Sequence, residues 1–289
     1  MKKIQSLAMT LGPNDFVVTS QWPALLLLAD AGVTSDLHIA HNVDTVISRS
    51  HDPALFRWMG NAGRMEAKER DILRKPKTVL AISGSDADRI ESWGIPCKHL
   101  TIAPEEFNER TPLSTVIGFI GKATWPPNAQ AIRLLVDEVL PKVREKLPSA
   151  TVVLSGRNSE TWSNAEGVTS LGRIDDLAEF YDAADLVVVP RMGESTGVSV
   201  KMLEAVTYGR PVVVPTTLAR DAGLMSGAIL ADDVDGMVDV ISDYLGKGSV
   251  NFGGAQTTSR ESWGDAVKLS ELEDYVALSS SQVDIEDHQ

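Results

Sequence analysis

From residue 113 onward the chain alternates short apolar runs with segments of helical period, and no other feature constrains its fold as much. The runs cover residues 116–120, 151–154, 168–171, 186–189, 211–214 and 228–230. They are short, often β-branched, and bounded by Gly, Pro or polar residues. Continuous apolarity of this kind marks strands buried on both faces of a sheet. Helical patterns fill residues 129–145, 174–184, 198–208 and 234–245. In the first of these, Ile132, Leu135, Val136, Val139 and Val143 fall on one face. Pro141, which has no amide hydrogen, is expected to kink or split that helix near its end. Strand alternating with helix at this spacing builds βαβ units and a doubly wound parallel sheet. Such sheets hold ligands beyond the carboxyl ends of their strands.

The first hundred residues are less regular. Residues 15–20, 37–40 and 78–83 read as strands, and 23–31 and 56–74 as helices. This is again α/β, with too few strands for a complete six-stranded unit. At 289 residues the chain exceeds what one core usually holds, so two domains are expected. The expected division is a partial N-terminal domain over 1–107, a polar linker over 108–114 and a complete C-terminal domain over 115–260. Residues 261–278 should form a docking helix, and the acidic tail 279–289 should be disordered.

Composition removes several classes. The chain has 27 basic and 40 acidic residues, a net charge of −13, so it repels phosphate backbones and no nucleic-acid partner is expected. A local basic pocket for one small phosphorylated ligand remains compatible with that total. Cys97 is the one cysteine, which excludes an internal disulfide and a cysteine-rich zinc site. The five histidines show no HxxxH or HExxH spacing, so no metal site is expected. Residues 24–28 are the most apolar stretch and are far too short to span a bilayer. No apolar segment of leader length follows Met1-Lys2-Lys3, so the expected location is cytoplasmic, with room for peripheral contact with a membrane face.

The residues with chemical potential sit in loops at strand ends. Pro190-Arg191-Met192-Gly193-Glu194-Ser195-Thr196-Gly197 joins the strand at 186–189 to the helix at 198–208. Free N–H groups and the dipole make such a helix start an anion site, and two glycines let a ligand approach the backbone. Glu204 lies about two turns into that helix, where a carboxylate could accept bonds from the vicinal hydroxyls of a ribose. Lys201 lies one turn earlier on the same side; the spacing alone equally fits a solvated ion pair. Gly121-Lys122-Ala123-Thr124-Trp125-Pro126-Pro127-Asn128 follows the strand at 116–120, with Lys122 placed for phosphate or simply exposed in a turn, and Asn128 as a helix cap. Gly172-Arg173 and Gly156-Arg157 follow two further strands, and Asp175 or Asp176 should cap the next helix. Asp86-Ala87-Asp88 and Asp233-Val234-Asp235 have DxD spacing, but both sit where a helix should start and read as caps. Several such loops, each after a successive strand, converge on one crevice.

Four segments together resemble the C-terminal half of the group 1 glycosyltransferases. They are Phe119-Ile120-Gly121-Lys122 with Trp125-Pro126-Pro127-Asn128, Leu171-Gly172-Arg173 with Asp176-Leu177, Tyr181-Asp182-Ala183-Ala184-Asp185-Leu186, and Gly197 with Lys201-Met202-Leu203-Glu204-Ala205 and Gly209-Arg210-Pro211-Val212-Val213. The resemblance covers residues 113–276 well, and more weakly His41-Asn42-Val43-Asp44, Arg64-Met65-Glu66 and Ala81-Ile82-Ser83 upstream. Trp263 and its helix resemble the segment that crosses back onto the N-terminal domain. The family implies a GT-B fold of two Rossmann-like domains, with the C-terminal one complete and the N-terminal one shortened.

The resemblance also implies roles. Glu204 corresponds to the second glutamate of the family's Glu-x7-Glu motif and would hold the ribose. The amides of Gly197 and Val198 would hold the diphosphate, and Lys122 would neutralise it, with Lys201 as a second phosphate lysine. Gly121, Gly193 and Thr196 belong to the same donor site, and Arg173 would border the base. His41 would face the donor sugar across the interdomain cleft. Eight residues before Glu204, where the family has its first glutamate, this chain has Thr196, and Glu194 lies two residues further back. The catalytic set implied is His41, Lys122 and Glu194. The expected activity is transfer of a sugar, with retention, from a nucleoside-diphosphate donor to a sugar or glycolipid hydroxyl, in polysaccharide or glycoconjugate synthesis and without a metal or other cofactor. The alternatives are a catalytically incomplete nucleotide-sugar module that needs a partner chain, and a sugar-nucleotide epimerase or phosphorylase of the same architecture. An incomplete N-terminal sheet would expose an edge, inviting a partner chain or self-association.

Overall fold

The computed structural model describes residues 6, 9–12, 15–102, 109–192, 196–224 and 227–247. The chain divides into two compact units. The first holds the described residues up to Ile102 together with Thr196–Val198, and the second the remaining described residues up to 247. The expected docking helix at 261–278, the tail at 279–289 and most of the expected linker lie outside the described residues.

The first unit runs β1 (Val18–Ser20), α1 (Trp22–Asp30), β2 (Leu37–Ala40), α2 (Asp44–His51), α3 (Ala54–Trp58), α4 (Asn61–Ile72), β3 (Thr78–Ala81), α5 (Gly84–Ser92) and β4 (Cys97–His99). Its strands form one parallel sheet in the order β1-β2-β3-β4. Leu25, Val46, Ile72, Val79, Ile90 and Ile95 are buried in its core. The single helix expected over 56–74 is two helices, because Gly60 takes the left-handed conformation at φ 68° between them. Val43 at the start of α2 has no side chain able to cap it. Glu69, 1% exposed on α4, does so instead, accepting from the Asp44 amide at 2.7 Å, the Thr45 amide at 2.9 Å and the Thr45 hydroxyl. Cys97 is a buried free thiol, pushed up to about 12 mainly by burial, and is chemically quiet.

The second unit runs β5 (Val116–Ile120), α6 (Pro126–Arg133), a π-helical turn (Leu134–Val139), α7 (Leu140–Lys146), β6 (Thr151–Ser155), a 3₁₀ turn (Ser159–Trp162), β7 (Val168–Gly172), α8 (Leu177–Ala183), β8 (Leu186–Val188), α9 (Val200–Thr207), β9 (Val212–Val214), α10 (Thr216–Ala222), β10 (Ala228–Leu230) and α11 (Val234–Lys247). The helix expected over 129–145 does split. Pro141 cannot donate to the carbonyl four residues back, and the backbone takes the wider π register just before it. All six strands are parallel, in the order β10-β9-β8-β5-β6-β7. Numbered within the unit, from β5 as strand 1, this is the doubly wound order 3-2-1-4-5-6. Ile117, Phe119, Ile132, Leu154, Leu186 and Ile241 are among the residues that fill the core. The α/β class and the GT-B type of fold expected from the sequence are the ones observed.

Asp185 fixes the start of β5. It is 3% exposed and accepts from the Leu113 amide at 2.8 Å, the Ser114 amide at 3.3 Å, the Ser114 hydroxyl at 2.5 Å and the Val116 amide at 3.0 Å. Burial alone would raise its pKa, but the Ser114 hydroxyl and the three amides outweigh it and hold the carboxyl below its usual range. A depressed carboxyl stabilises the fold above its unfolded pKa, and that contribution is lost as pH falls through the folded value. Asp185→Ala leaves these donors unpaired and should cost roughly 3 kcal/mol or more. Urea unfolding of both proteins at neutral pH checks this, and a variant as stable as the parent would contradict it.

Candidate functional site

In the 3-2-1-4-5-6 order, connections leave β5 and β8 toward opposite sides of the sheet, so a crevice opens beyond their carboxyl ends. The backbone there is close-packed. Gly156, after β6 at φ 117°, lies so near Gly121 that a Cβ on it would sit 2.3 Å from the Gly121 carbonyl oxygen. Gly121 in turn faces the Asn128 amide, at 2.7 Å from where its Cβ would be. The lack of a side chain at these glycines makes room for the neighbouring backbone and for the Asn128 amide.

Asn128 is not the helix cap expected. Pro126 takes the first position of α6, as its fixed φ favours, and Trp125 becomes the N-cap. That leaves the Asn128 side chain, buried at 8% exposure, to fold back. Its amide donates to the Lys122 carbonyl at 3.0 Å, and its oxygen accepts from Lys201 Nζ at 3.3 Å.

Lys201 reaches this point from the first turn of α9. Its ammonium also lies 5.4 Å from the centre of the Phe119 ring on β5, a cation–π contact. Its pKa is lowered to about 8, first by burial and then by the positive charge of Arg191, with the Glu204 carboxylate pulling the other way. Arg191 follows β8 and is itself buried enough to lower its proton affinity. Among the described residues neither cation has a salt-bridge partner. Lys201 and Glu204 therefore do not form the solvated pair that spacing alone allowed. Glu204, one turn further along α9, instead accepts from the Tyr181 hydroxyl at 3.0 Å.

The other residues singled out in the sequence are placed as follows. Lys122 is exposed on the loop after β5, and Arg173 is exposed after β7, next to Gly172 at φ 64°. Asp176 caps α8, accepting from the Ala178 amide at 2.9 Å. Asp233 does the same at α11, accepting from the Gly236 amide at 2.7 Å. Gly193 and Glu194 lie outside the described residues. Thr196, Gly197, Val198 and His41 belong to the first unit. There the Thr196 hydroxyl accepts from the Val43 amide at 2.7 Å and donates to Asp86 at 2.7 Å. The Gly197 amide, which the resemblance gives to a diphosphate, donates to the other Asp86 oxygen at 2.7 Å. Asp86 lies inside α5, whose N-cap is Ser83, so its carboxylate holds this segment rather than capping the helix. His41 Nε2 pairs with the Ser20 hydroxyl at 2.7 Å. The structure thus brings together Gly121, Asn128, Arg191, Lys201 and Glu204, with Lys122 on the adjoining loop. Arg191, Asn128 and Tyr181 were not singled out for these roles, although Arg191 lies in the loop after β8, beside the switch point.

The sheet order and the glycine-lined strand ends define a doubly wound parallel α/β domain. Residues 114–247 match the model of the family described as glycosyl transferases group 1. No curated protein matches the chain. Solved structures of similar fold include TarM, with a TM-score of 0.64 at 13% identity over 97% of this chain and 57% of that one. The sucrose-phosphate synthase of Thermosynechococcus elongatus matches with a TM-score of 0.63 at 16% identity, over 99% of this chain and 76% of that one. Anabaena HepE, solved in complex with UDP and glucose, matches with a TM-score of 0.58 at 13% identity, over 96% of this chain and 81% of that one. The chain thus spans little more than half the length of TarM. No described helix is long and apolar enough to cross a membrane.

Gly156→Ala should lower stability by about 2 kcal/mol or more, since a left-handed site with backbone in contact has no room for a methyl group. Calorimetry checks this, with Gly32→Ala as control. Gly32 also has positive φ, at 74°, but nothing lies within 4 Å of an added Cβ. Equal losses in the two variants would show that contact with Gly121 contributes nothing.

Proposed function

We propose that the second unit binds the nucleoside-diphosphate part of a sugar donor at the carboxyl ends of β5 and β8. The observation that carries this is the half-buried Lys201 ammonium beside Arg191, with no salt-bridge partner among the described residues, at the switch point of the sheet. Burying like charges together is costly, and an anionic ligand between them offsets that cost. In this reading Lys201, Arg191 and Lys122 face the diphosphate, Glu204 accepts from the ribose hydroxyls, and Arg173 borders the base.

The reaction we propose is sugar transfer to a hydroxyl with retention of configuration. The bond from the anomeric carbon to the diphosphate oxygen breaks, and a bond to the acceptor oxygen forms on the same face. The acceptor proton passes to the departing diphosphate. Fixed cations stabilise the negative charge that grows on the leaving group. His41 and Glu194 are the residues that the family resemblance gives to the sugar, and Gly193, Thr196, Gly197 and Val198 those that it gives to donor binding; these roles are part of the proposal. Polysaccharide or glycoconjugate assembly, without a metal, is the proposed setting. The exposed Leu55, Phe56, Trp58 and Met59 around α3, with Arg57 among them, support peripheral contact with a membrane face. The edge strand β1 supports a partner chain or self-association.

One observation favours a second reading, a module that binds nucleotide sugar but needs a partner chain for transfer. Thr196 stands where the family has its first glutamate, and its hydroxyl is already spent on Val43 and Asp86.

A thermal-shift titration against UDP, GDP, ADP and dTDP and their sugars, with EDTA present, tests the binding step. Ligand at 100 times its dissociation constant should add about 2.7 kcal/mol of stability. Glu204→Ala should weaken the best ligand about tenfold while the fold persists. No shift with any of them, on a cooperatively folded chain, would contradict the reading.

The pH dependence follows from Lys201. A bound diphosphate raises the ammonium's pKa above its free value of about 8. Affinity is therefore full below that value and falls as pH rises through it. Calorimetric titration from pH 7 to 9.5 should show this loss in the parent chain and not in Lys201→Met. The same slope in both proteins would remove Lys201 from the site.

A further inference from the structure

We propose that Tyr181 is a positioning residue that presents the Glu204 carboxylate to the ribose hydroxyls of the bound nucleotide. The inference rests on the nucleotide reading above and adds a residue to it. Tyr181 lies near the end of α8 and is fully buried. Its hydroxyl donates to Glu204 Oε2 at 3.0 Å. The ring stacks on Tyr208 at 4.5 Å between centroids and 15° between planes, and meets the edge of Phe180 at 4.9 Å. The Tyr181 carbonyl accepts from Arg210 Nε at 2.7 Å, in the turn that leads into β9. Tyr208 is tied to the same helix end, its amide donating to the Glu204 carbonyl at 2.9 Å. The donor is thus held on three sides before any ligand arrives.

A free glutamate side chain gives up considerable rotamer freedom when a ligand fixes it. A preset donor removes part of that loss from the binding step. Because Tyr181 engages Oε2, the lone pairs of Oε1 remain for a vicinal diol. Burial, and then the Glu204 charge, raises the phenol's pKa far above its usual value, so the group stays a donor at every working pH. A buried tyrosine with a purely structural role would need a partner for its hydroxyl too. What separates the two roles is selectivity for the ribose.

The test compares Tyr181→Phe, which keeps the ring and its stacking, with the parent chain. Calorimetry measures binding of whichever of UDP, GDP or ADP the parent binds, of its 2′,3′-dideoxy counterpart, and of pyrophosphate. The variant should bind the ribonucleotide about five- to tenfold more weakly. It should bind the dideoxy compound and pyrophosphate as the parent does. A second variant, Glu204→Ala, should bind ribo and dideoxy forms alike, and adding Tyr181→Phe to it should change nothing more. Equal weakening toward both forms, unchanged ribonucleotide binding, or a tyrosine effect that persists without Glu204 would overturn the inference alone. A parent chain that binds none of the nucleotides would overturn the nucleotide reading, and this inference with it.

Discussion

The opposite turning of the chain after β5 and β8 is the constraint on which the rest of the site depends. Both strands are central and parallel, and both end on the same side of the sheet. Right-handed crossovers carry the chain from their ends to opposite sides of the sheet. Any side chain that should meet a ligand must therefore come from the loops after these strands or from the helices they feed. Asn128 and Phe119 come from the β5 side, and Arg191, Lys201 and Glu204 from the β8 side. Glycine at the ends of β5 and β6 keeps this ground clear for backbone contact.

The charges on the crevice run against the charge of the molecule. A chain of net charge −13 holds a half-buried ammonium, that of Lys201, beside the Arg191 guanidinium. Such an arrangement is unfavourable for folding and is retained where a ligand of opposite charge recovers the cost. One turn along α9 the sign reverses at Glu204, held by a neutral donor. A ligand with phosphates at one end and hydroxyls toward the other matches this sequence of charges.

Much of the second unit was legible because buried parallel strands leave continuous apolar runs. Residues 116–120, 151–154, 168–171 and 228–230 fall on observed strands almost residue for residue. The first unit was harder. Its strands are three or four residues long, and β4, with the sequence Cys97-Lys98-His99, carries no apolar run at all. Gly60 interrupts what reads as one helix, since composition does not show that its φ is positive. Within the site, Lys201 and Glu204 were legible from helical spacing and from resemblance. The roles of Asn128, Arg191 and Tyr181 were not. Asn128 depends on Pro126 taking the helix start, and Tyr181 meets Glu204 only through the packing of α8 against α9, which no local pattern encodes. Asp86 is the sharpest case: an acidic residue in the first turn of a helix reads as a cap, yet its carboxylate accepts from the Thr196 hydroxyl, 110 residues away, and from the Gly197 amide next to it.

The central claim is the proposal that the half-buried cations Lys201 and Arg191, at the ends of β5 and β8, form the diphosphate site. A crystal structure of the chain with its preferred nucleoside diphosphate tests it most directly. The account predicts phosphate oxygens within about 3 Å of Lys201 Nζ, a charge-assisted hydrogen bond, with the ribose at Glu204. A nucleotide bound elsewhere on the chain, with Lys201 still on Asn128 and no phosphate beside it, would contradict it.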